Sequence, residues 1–241
     1  MTLPRWITAH PIAHRGLFDA ARGIPENSLA AIRAALDAGY AMELDLRPIA
    51  GGIAVFHDFD LARMTGRNGD LRQMTPAALK RFRLSGTGET IPLLEEVLAL
   101  VAGRIPLMLE IKNRGRAGAF ESLIREKLSG YRGEIALVSF NPFSLGWFRR
   151  HAPQFLRGQT SCRFADSALP GWRKFLQRNF LLNTVSRPDF LLYDLAALPY
   201  WAASLRHSLG ARLVAYTVRS EADAAKARAL ADNFIFEKIR P

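Results

Sequence analysis

The chain has one cysteine, Cys162, among 241 residues. No disulfide can form within it, and a small packing role suits Cys162 better than a nucleophilic one. No apolar run is long enough to span a bilayer. The opening MTLPRWITAHPIAHRG lacks a basic region followed by an apolar core, so no secretion signal is read there. These absences point to a cytoplasmic protein. Low-complexity segments, linkers and short repeat periods are also missing, which excludes a solenoid. Acidic residues are scarce, 22 against 33 Lys and Arg, for a formal net charge of +11. A compositional bias towards Arg and Ala is the favoured account of that charge. Attraction of an anionic substrate, or contact with an anionic membrane face, are the functional ones. The arginines are scattered, with no zinc-finger spacing, RNP motif or basic heptad helix, which argues against nucleic acid.

What is present is a core-forming composition, 49% hydrophobic, enough for one large domain or two small ones. Short β-like runs alternate with helix-like stretches. The runs are PIAHRG (11–16), YAMELDL (40–46), IPLMLEIK (105–112), IALVSF (135–140), FLRGQTS (155–161), FLLYDL (190–195), RLVAYTV (212–218) and FIFEK (234–238). Between them, NSLAAIRAALDAG (27–39) puts Leu29, Ile32, Ala35 and Leu36 on one helical face, and 93–103 and 220–232 read the same way. Ser220 before Glu221 and Asp223 marks a helix start. Eight strand–helix repeats in this length predict a (β/α)8 TIM barrel spanning 1–241 as one domain. A doubly wound open sheet is the rival, but it normally carries a Gly-rich turn where this chain has HRG.

One segment breaks the alternation. In MELDLRPIAGGIAVFHD (42–58) no helix separates the two apolar runs, and the turn around Gly51 is too short for a parallel crossover. The second run should therefore be an antiparallel hairpin arm after the second strand. A turn centred near Gly51 places His57 opposite Asp45. The period of two aims Glu43 and Asp45 at one face, and it does the same for Glu110 and Lys112. In a barrel these groups meet at the C-terminal rim, with His14 and Arg15 ending the first strand. Three carboxylates make a hard-cation site for Ca2+ or Mg2+. His14 and His57 beside it suit proton transfer, and Arg15 and Lys112 suit phosphate oxygens. Metal-assisted cleavage of a phosphate ester follows. A lone ExD is more often a salt-bridged pair, so the case rests on convergence. His10 and His151 are read as surface or packing residues, and His207 as solvated.

The stretch AHRGLFDAARGIPENSLAAIRAALDAG, then ELDL and VFHDFDLARMTG, resembles the glycerophosphodiester phosphodiesterase family. IPLLEEVL, LEIK, VSFNPFSL and YTV are similar to it in the same order, so the resemblance runs from about residue 11 onward. It implies a barrel hydrolase that releases sn-glycerol 3-phosphate and an alcohol from small glycerophosphodiesters. It implies His14 and His57 as the acid/base pair, Glu43, Asp45 and Glu110 as metal ligands, and Arg15 and Lys112 as phosphate contacts. Glu26 and Asn27 match a family loop that holds the site in shape. The implied mechanism has the glycerol 2-hydroxyl attack phosphorus, after which water opens a cyclic phosphate.

The chain departs from the family pattern at three places. Tyr216 stands where Trp is common, leaving an aromatic wall of altered shape for glycerol. Glu237 stands where the last strand commonly ends in Asp. The segment 61–89 is short, with little room for a large cap. A phospholipase or lysophospholipase D acting on membrane lipids is the alternative, and a non-catalytic phosphodiester-binding barrel ranks below it. LPGWRKFLQRNFLLNTV (169–185) bears on that alternative. It reads foremost as an outer helix packed by its apolar face, and otherwise as a peripheral contact with an anionic bilayer.

Overall fold

The computed structural model describes residues 3–113, 115–165 and 167–241. Its strands are β1 (Ile12–His14), β2 (Met42–Ile49), β3 (Gly52–Val55), β4 (Leu107–Ile111) and β5 (Ile135–Ser139). The rest are β6 (Leu156–Ser161), β7 (Phe190–Asp194), β8 (Leu213–Val218) and β9 (Asn233–Phe236). They run in the order β1-β9-β8-β7-β6-β5-β4-β2-β3, and β1 also pairs with β2. Eight strands therefore close a parallel ring, and β3 is bonded outside it. This is a (β/α)8 barrel with an antiparallel arm. Helices of eight or more described residues are α1 (Leu29–Ala38), α2 (Leu94–Val101), α3 (Ala119–Leu128), α4 (Pro142–His151), α5 (Gly171–Arg178), α6 (Trp201–Ser208) and α7 (Glu221–Leu230). None is long and apolar enough to cross a membrane. The chain groups into two compact units, Ala13–Ile135 and Met1–Ile12 with Ala136–Pro241.

In the unit Ala13–Ile135, α1 starts where Ser28 Oγ accepts from the Ala31 amide at 3.1 Å, and stops at Gly39 with φ 73°. It buries Ala31, Ile32 and Ala35. Gly16 lies beneath this helix at φ 76°, and a Cβ there would stand 3.0 Å from Ala31. Only glycine fits the third position of HRG. Strand β2 is buried on both faces, as barrel strands are, with Met42, Leu44 and Leu46 on one and Glu43 and Asp45 on the other.

The arm forms, but its register corrects the expectation. Leu46 pairs with Val55 and Ile49 with Gly52, and the Phe56 amide donates to the Asp45 carbonyl at 2.9 Å. Phe56, not His57, stands opposite Asp45. The turn is the two residues Ala50 and Gly51, with Gly51 at φ 86°, and Gly52 already belongs to the strand. Centring the turn one-half residue earlier shifts every partner by one. His57 lies past the end of β3.

After the arm come four short helical pieces, Ala62–Thr65, Leu71–Gln73, Pro76–Leu79 and Leu84–Gly86. They are not bare loop. Leu61, Met64, Leu71, Leu79 and Leu84 pack on Ile49, Ala54, Phe56 and Ile91 in a small core of their own.

In the other unit, Ser220 caps α7 by accepting from the Asp223 amide at 3.1 Å, as its sequence suggested. Asn233 opens β9 and donates to the carbonyls of Trp6, Ile7 and His10. His207 is half-buried and 3.1 Å from Asp232, so it is paired rather than solvated. The segment 169–185 also departs from the packed-helix reading. No residue of α5 is buried, and Trp172 and Phe175 are 62% and 48% exposed. The buried aromatic of that segment is Phe180, beyond the helix end.

Leu61 is fully buried in the small core. Leu61→Ala should cost about 2–5 kcal/mol in a denaturant titration. A loss below about 1 kcal/mol would mean that the segment after the arm contributes little to the fold.

Candidate active site

The site is assembled within the unit Ala13–Ile135. Pairing of β1 with β2 sets His14 beside Glu43, and pairing of β2 with β4 sets Asp45 beside Glu110. One oxygen from each of Glu43, Asp45 and Glu110 lies within 4.8 Å of the others. Glu43 Oε1 is buried and accepts no hydrogen bond. A buried carboxylate oxygen without a donor is costly, and a cation is what such a pocket suits. Three oxygen ligands fit a hard divalent ion.

Two cations already lean on this cluster. Lys112 Nζ is 3.0 Å from Asp45 and 2.8 Å from Glu110. Arg15 Nε is 3.3 Å from Asp45. Three negative charges thus face two positive ones. Glu43 carries the imbalance. Burial, Asp45 and Glu110 push its pKa well above 4.5. Burial also works against the Asp45 charge, but Lys112 and Arg15 outweigh it and hold that carboxyl far below the usual range. Lys112 is the mirror case, as burial disfavours its charge but Asp45 and Glu110 raise its pKa.

The PEN loop locks Asp45 from the other side. Asn27 Nδ2 donates to Asp45 Oδ2 at 2.8 Å, and the Asp45 amide donates back to Asn27 Oδ1 at 3.3 Å. Asn27 sits at φ 56° and Arg15 at φ 55°. Asparagine tolerates this region, whereas a left-handed arginine is strained, and such strain clusters at functional sites. The turn aims the Arg15 amide at Glu43 Oε2, 3.2 Å away, and its guanidinium at Glu26, 2.8 Å away. His14 Nε2 lies 3.9 Å from Glu43 Oε2.

His57 is held by its neighbours. Its Nδ1 is 2.7 Å from Asp58 Oδ1, which leaves Nε2 as the ring nitrogen facing away from that contact. Burial lowers its pKa below 6.5, with Lys112 and Arg15 adding to the effect and Asp45 opposing it. Asp58 also takes Arg63 Nε at 2.6 Å, and Arg63 Nη2 reaches Glu26 at 2.6 Å. A chain of charges therefore runs Arg15–Glu26–Arg63–Asp58–His57. The His57 carbonyl accepts from the Arg47 guanidinium, which is buried and stacks 3.4 Å over the Phe59 ring.

Arg47, Asp58 and Arg63 were missed at the level of sequence. Arg47 had a signal, because it follows Glu43 and Asp45 in the same period of two. Arg63 had none, since its partners are 5 and 37 residues away. Tyr216 belongs to the other unit. Its hydroxyl donates to the Ser161 carbonyl at 2.7 Å, and its ring meets Phe140 edge-on. Glu237 there is engaged by Arg219 at 2.5 Å. The same unit has a cavity of about 440 Å³ lined by Phe140, Cys162, Arg163, Phe164 and Asp194 among others.

The family model for glycerophosphoryl diester phosphodiesterases matches residues 14–236. The chain belongs to this family. A glycerophosphodiester phosphodiesterase of Bacillus altitudinis is 35% identical over 154 residues, 58% of this chain and 62% of that protein. Glycerophosphodiester phosphodiesterase 1 of Bos taurus is 43% identical over 98 residues, 36% of this chain and 29% of that protein. The chain thus spans less than two thirds of these curated relatives. An Oleispira antarctica phosphodiesterase solved with the product sn-glycerol-3-phosphate superposes with TM-score 0.79 at 24% identity, over 95% of this chain and 93% of that one. A Silicibacter pomeroyi structure named a glycerophosphoryl diester phosphodiesterase gives 0.77 at 23% identity, over 96% and 92%. At such identities the superpositions establish the barrel alone, and it is the family's fold.

The raised pKa of Glu43 makes a prediction with a definite sign. The folded chain keeps a proton there above 4.5, where the unfolded chain has lost it. Stability from that proton is complete below 4.5 and is lost as pH rises through the folded value. A divalent cation must displace the proton, so its stabilisation grows with pH over the same window. Melting-temperature gains from added Mg2+ or Ca2+ should be larger at about pH 8 than at about pH 5. Equal gains at both would refute this assignment.

Proposed function

We propose that this chain is a divalent-cation-dependent hydrolase that splits glycerophosphodiesters into sn-glycerol 3-phosphate and an alcohol. The observation that carries the reading is the buried Glu43–Asp45–Glu110 cluster, with its donor-free oxygen, in the same unit as His14 and His57. Family membership and the names of the relatives support it. The all-oxygen donor set favours Ca2+ or Mg2+. When bound, the cation would supply Lewis acidity towards the phosphoryl oxygens.

The protein's own groups would do the rest. Glu43, Asp45 and Glu110 would hold the cation. Lys112 and Arg15 already carry charge at the cluster, and they would bind and orient the anionic phosphate. The glycerol 2-hydroxyl would attack phosphorus. His57, kept neutral by burial and oriented by Asp58, suits the base that takes that proton at Nε2. His14 would protonate the departing alcohol oxygen. Water then opens the cyclic phosphate with the two roles exchanged, returning both histidines to their starting states. The attacking hydroxyl is tethered to the phosphate it attacks, which removes most of the entropy cost of bringing a nucleophile. Glu26 and Asn27 would position Arg15 and Asp45.

Turnover of glycerophosphocholine tests the reading. Activity should disappear on chelation and return with Ca2+ or Mg2+. His14→Ala and His57→Ala should each lower kcat by about a hundredfold to ten-thousandfold. An analogue lacking the 2-hydroxyl should be a poor substrate. Activity should fall as pH drops through a value below 6.5, because the base must be neutral. Chelator-resistant turnover, or full activity in either histidine variant, would overturn the proposal.

A further inference from the structure

Helix α5 is turned the wrong way for an ordinary surface helix. At 100° per residue Trp172, Phe175 and Leu176 form one narrow apolar face, with Arg173, Lys174, Gln177 and Arg178 around the rest. A globular surface helix buries that apolar face. Here Trp172 and Phe175 are 62% and 48% exposed, while Lys174, Leu176, Gln177 and Arg178 are the half-buried positions. The two aromatic rings face outward, and polar groups tie the helix to the body. Ser161 Oγ donates to the Gln177 carbonyl at 3.0 Å, and Lys174 Nζ reaches the Ala165 carbonyl at 3.4 Å. The exposed rings are flanked by cations, with Arg173 5.1 Å from the Trp172 centroid and Arg178 5.6 Å from that of Phe175.

The neighbouring helix α6 buries Ala202 and Ala203 and also exposes large apolar side chains. Trp201, Leu205 and Leu209 recur every four residues and are all exposed. The two elements are joined, since Tyr200 Oη donates to Asn179 Oδ1 at 2.5 Å and Arg206 Nη2 to the Phe180 carbonyl at 3.1 Å. Residues 167–188 and 195–212 hold six Lys and Arg residues and no Asp or Glu.

We propose that this face is an interfacial anchor that seats the protein on an anionic lipid bilayer. An exposed apolar edge flanked by Arg173, Lys174 and Arg178 matches an anionic membrane interface. Tryptophan suits the headgroup level, with its ring in the acyl boundary and its N–H in water. Arginines beside it would stay at the phosphate plane. This placement is independent of the reaction proposed above, so either can fail alone.

The test is co-sedimentation of the full chain with vesicles of phosphatidylcholine alone and of phosphatidylcholine with about 30% phosphatidylglycerol. Binding is expected to the anionic vesicles only, and to be lost in about 0.5 M salt. Trp172→Ala with Phe175→Ala should weaken it about tenfold or more, as should Arg173→Glu, with melting temperature unchanged because these side chains are exposed. Equal binding to neutral vesicles, no binding, or undiminished binding by the folded variants would overturn the proposal. So would a dimer in solution that the double variant dissociates, since the face would then be a contact between copies.

Discussion

The site depends on keeping one carboxylate, Asp45, ionised in the barrel interior. Burial alone would protonate it. Lys112 from the end of β4 and Arg15 from the turn after β1 outweigh that cost, and Asn27 of the PEN loop donates to the carboxylate. Each of those groups is also held by something else. Asn27 and Arg15 occupy left-handed backbone, and Lys112 is shared with Glu110. A half-satisfied polar network is worse than an apolar core. The donor-free oxygen of Glu43 is where a divalent cation would complete the network.

The arm and the segment after it explain how a short chain brings these pieces together. A barrel strand alone could present Glu43 and Asp45. It could not present His57, which must come back over the same strand. The two-residue turn returns the chain, and the small core under Leu61, Leu71 and Leu84 gives the returning segment something to pack on. That core sets the piece Ala62–Thr65, and so Arg63, where it reaches both Asp58 and Glu26. Packing far from the carboxylates thereby reaches the histidine.

Much of this was legible before any coordinates. Strand alternation and the absence of a helix between 46 and 53 were enough for the barrel and its arm. The period of two was enough for Glu43 with Asp45 and Glu110 with Lys112. The exact partner of Asp45 was not, because a turn of two residues and one of three differ by one register step, and apolar residues flank both. Arg63 was invisible because its contacts are tertiary. The helix at 171–178 was misread for a sharper reason. Amphipathic spacing says that a helix has two faces, and it does not say which one the protein buries.

The most direct test of the account is an anomalous-scattering map from crystals soaked in Mn2+, a hard ion that takes oxygen ligands. One strong peak is expected within coordination distance of Glu43, Asp45 and Glu110, with the Glu43 oxygen that lacks a donor among its ligands. A peak elsewhere, or a cluster that stays empty with Lys112 still spanning Asp45 and Glu110, would contradict it.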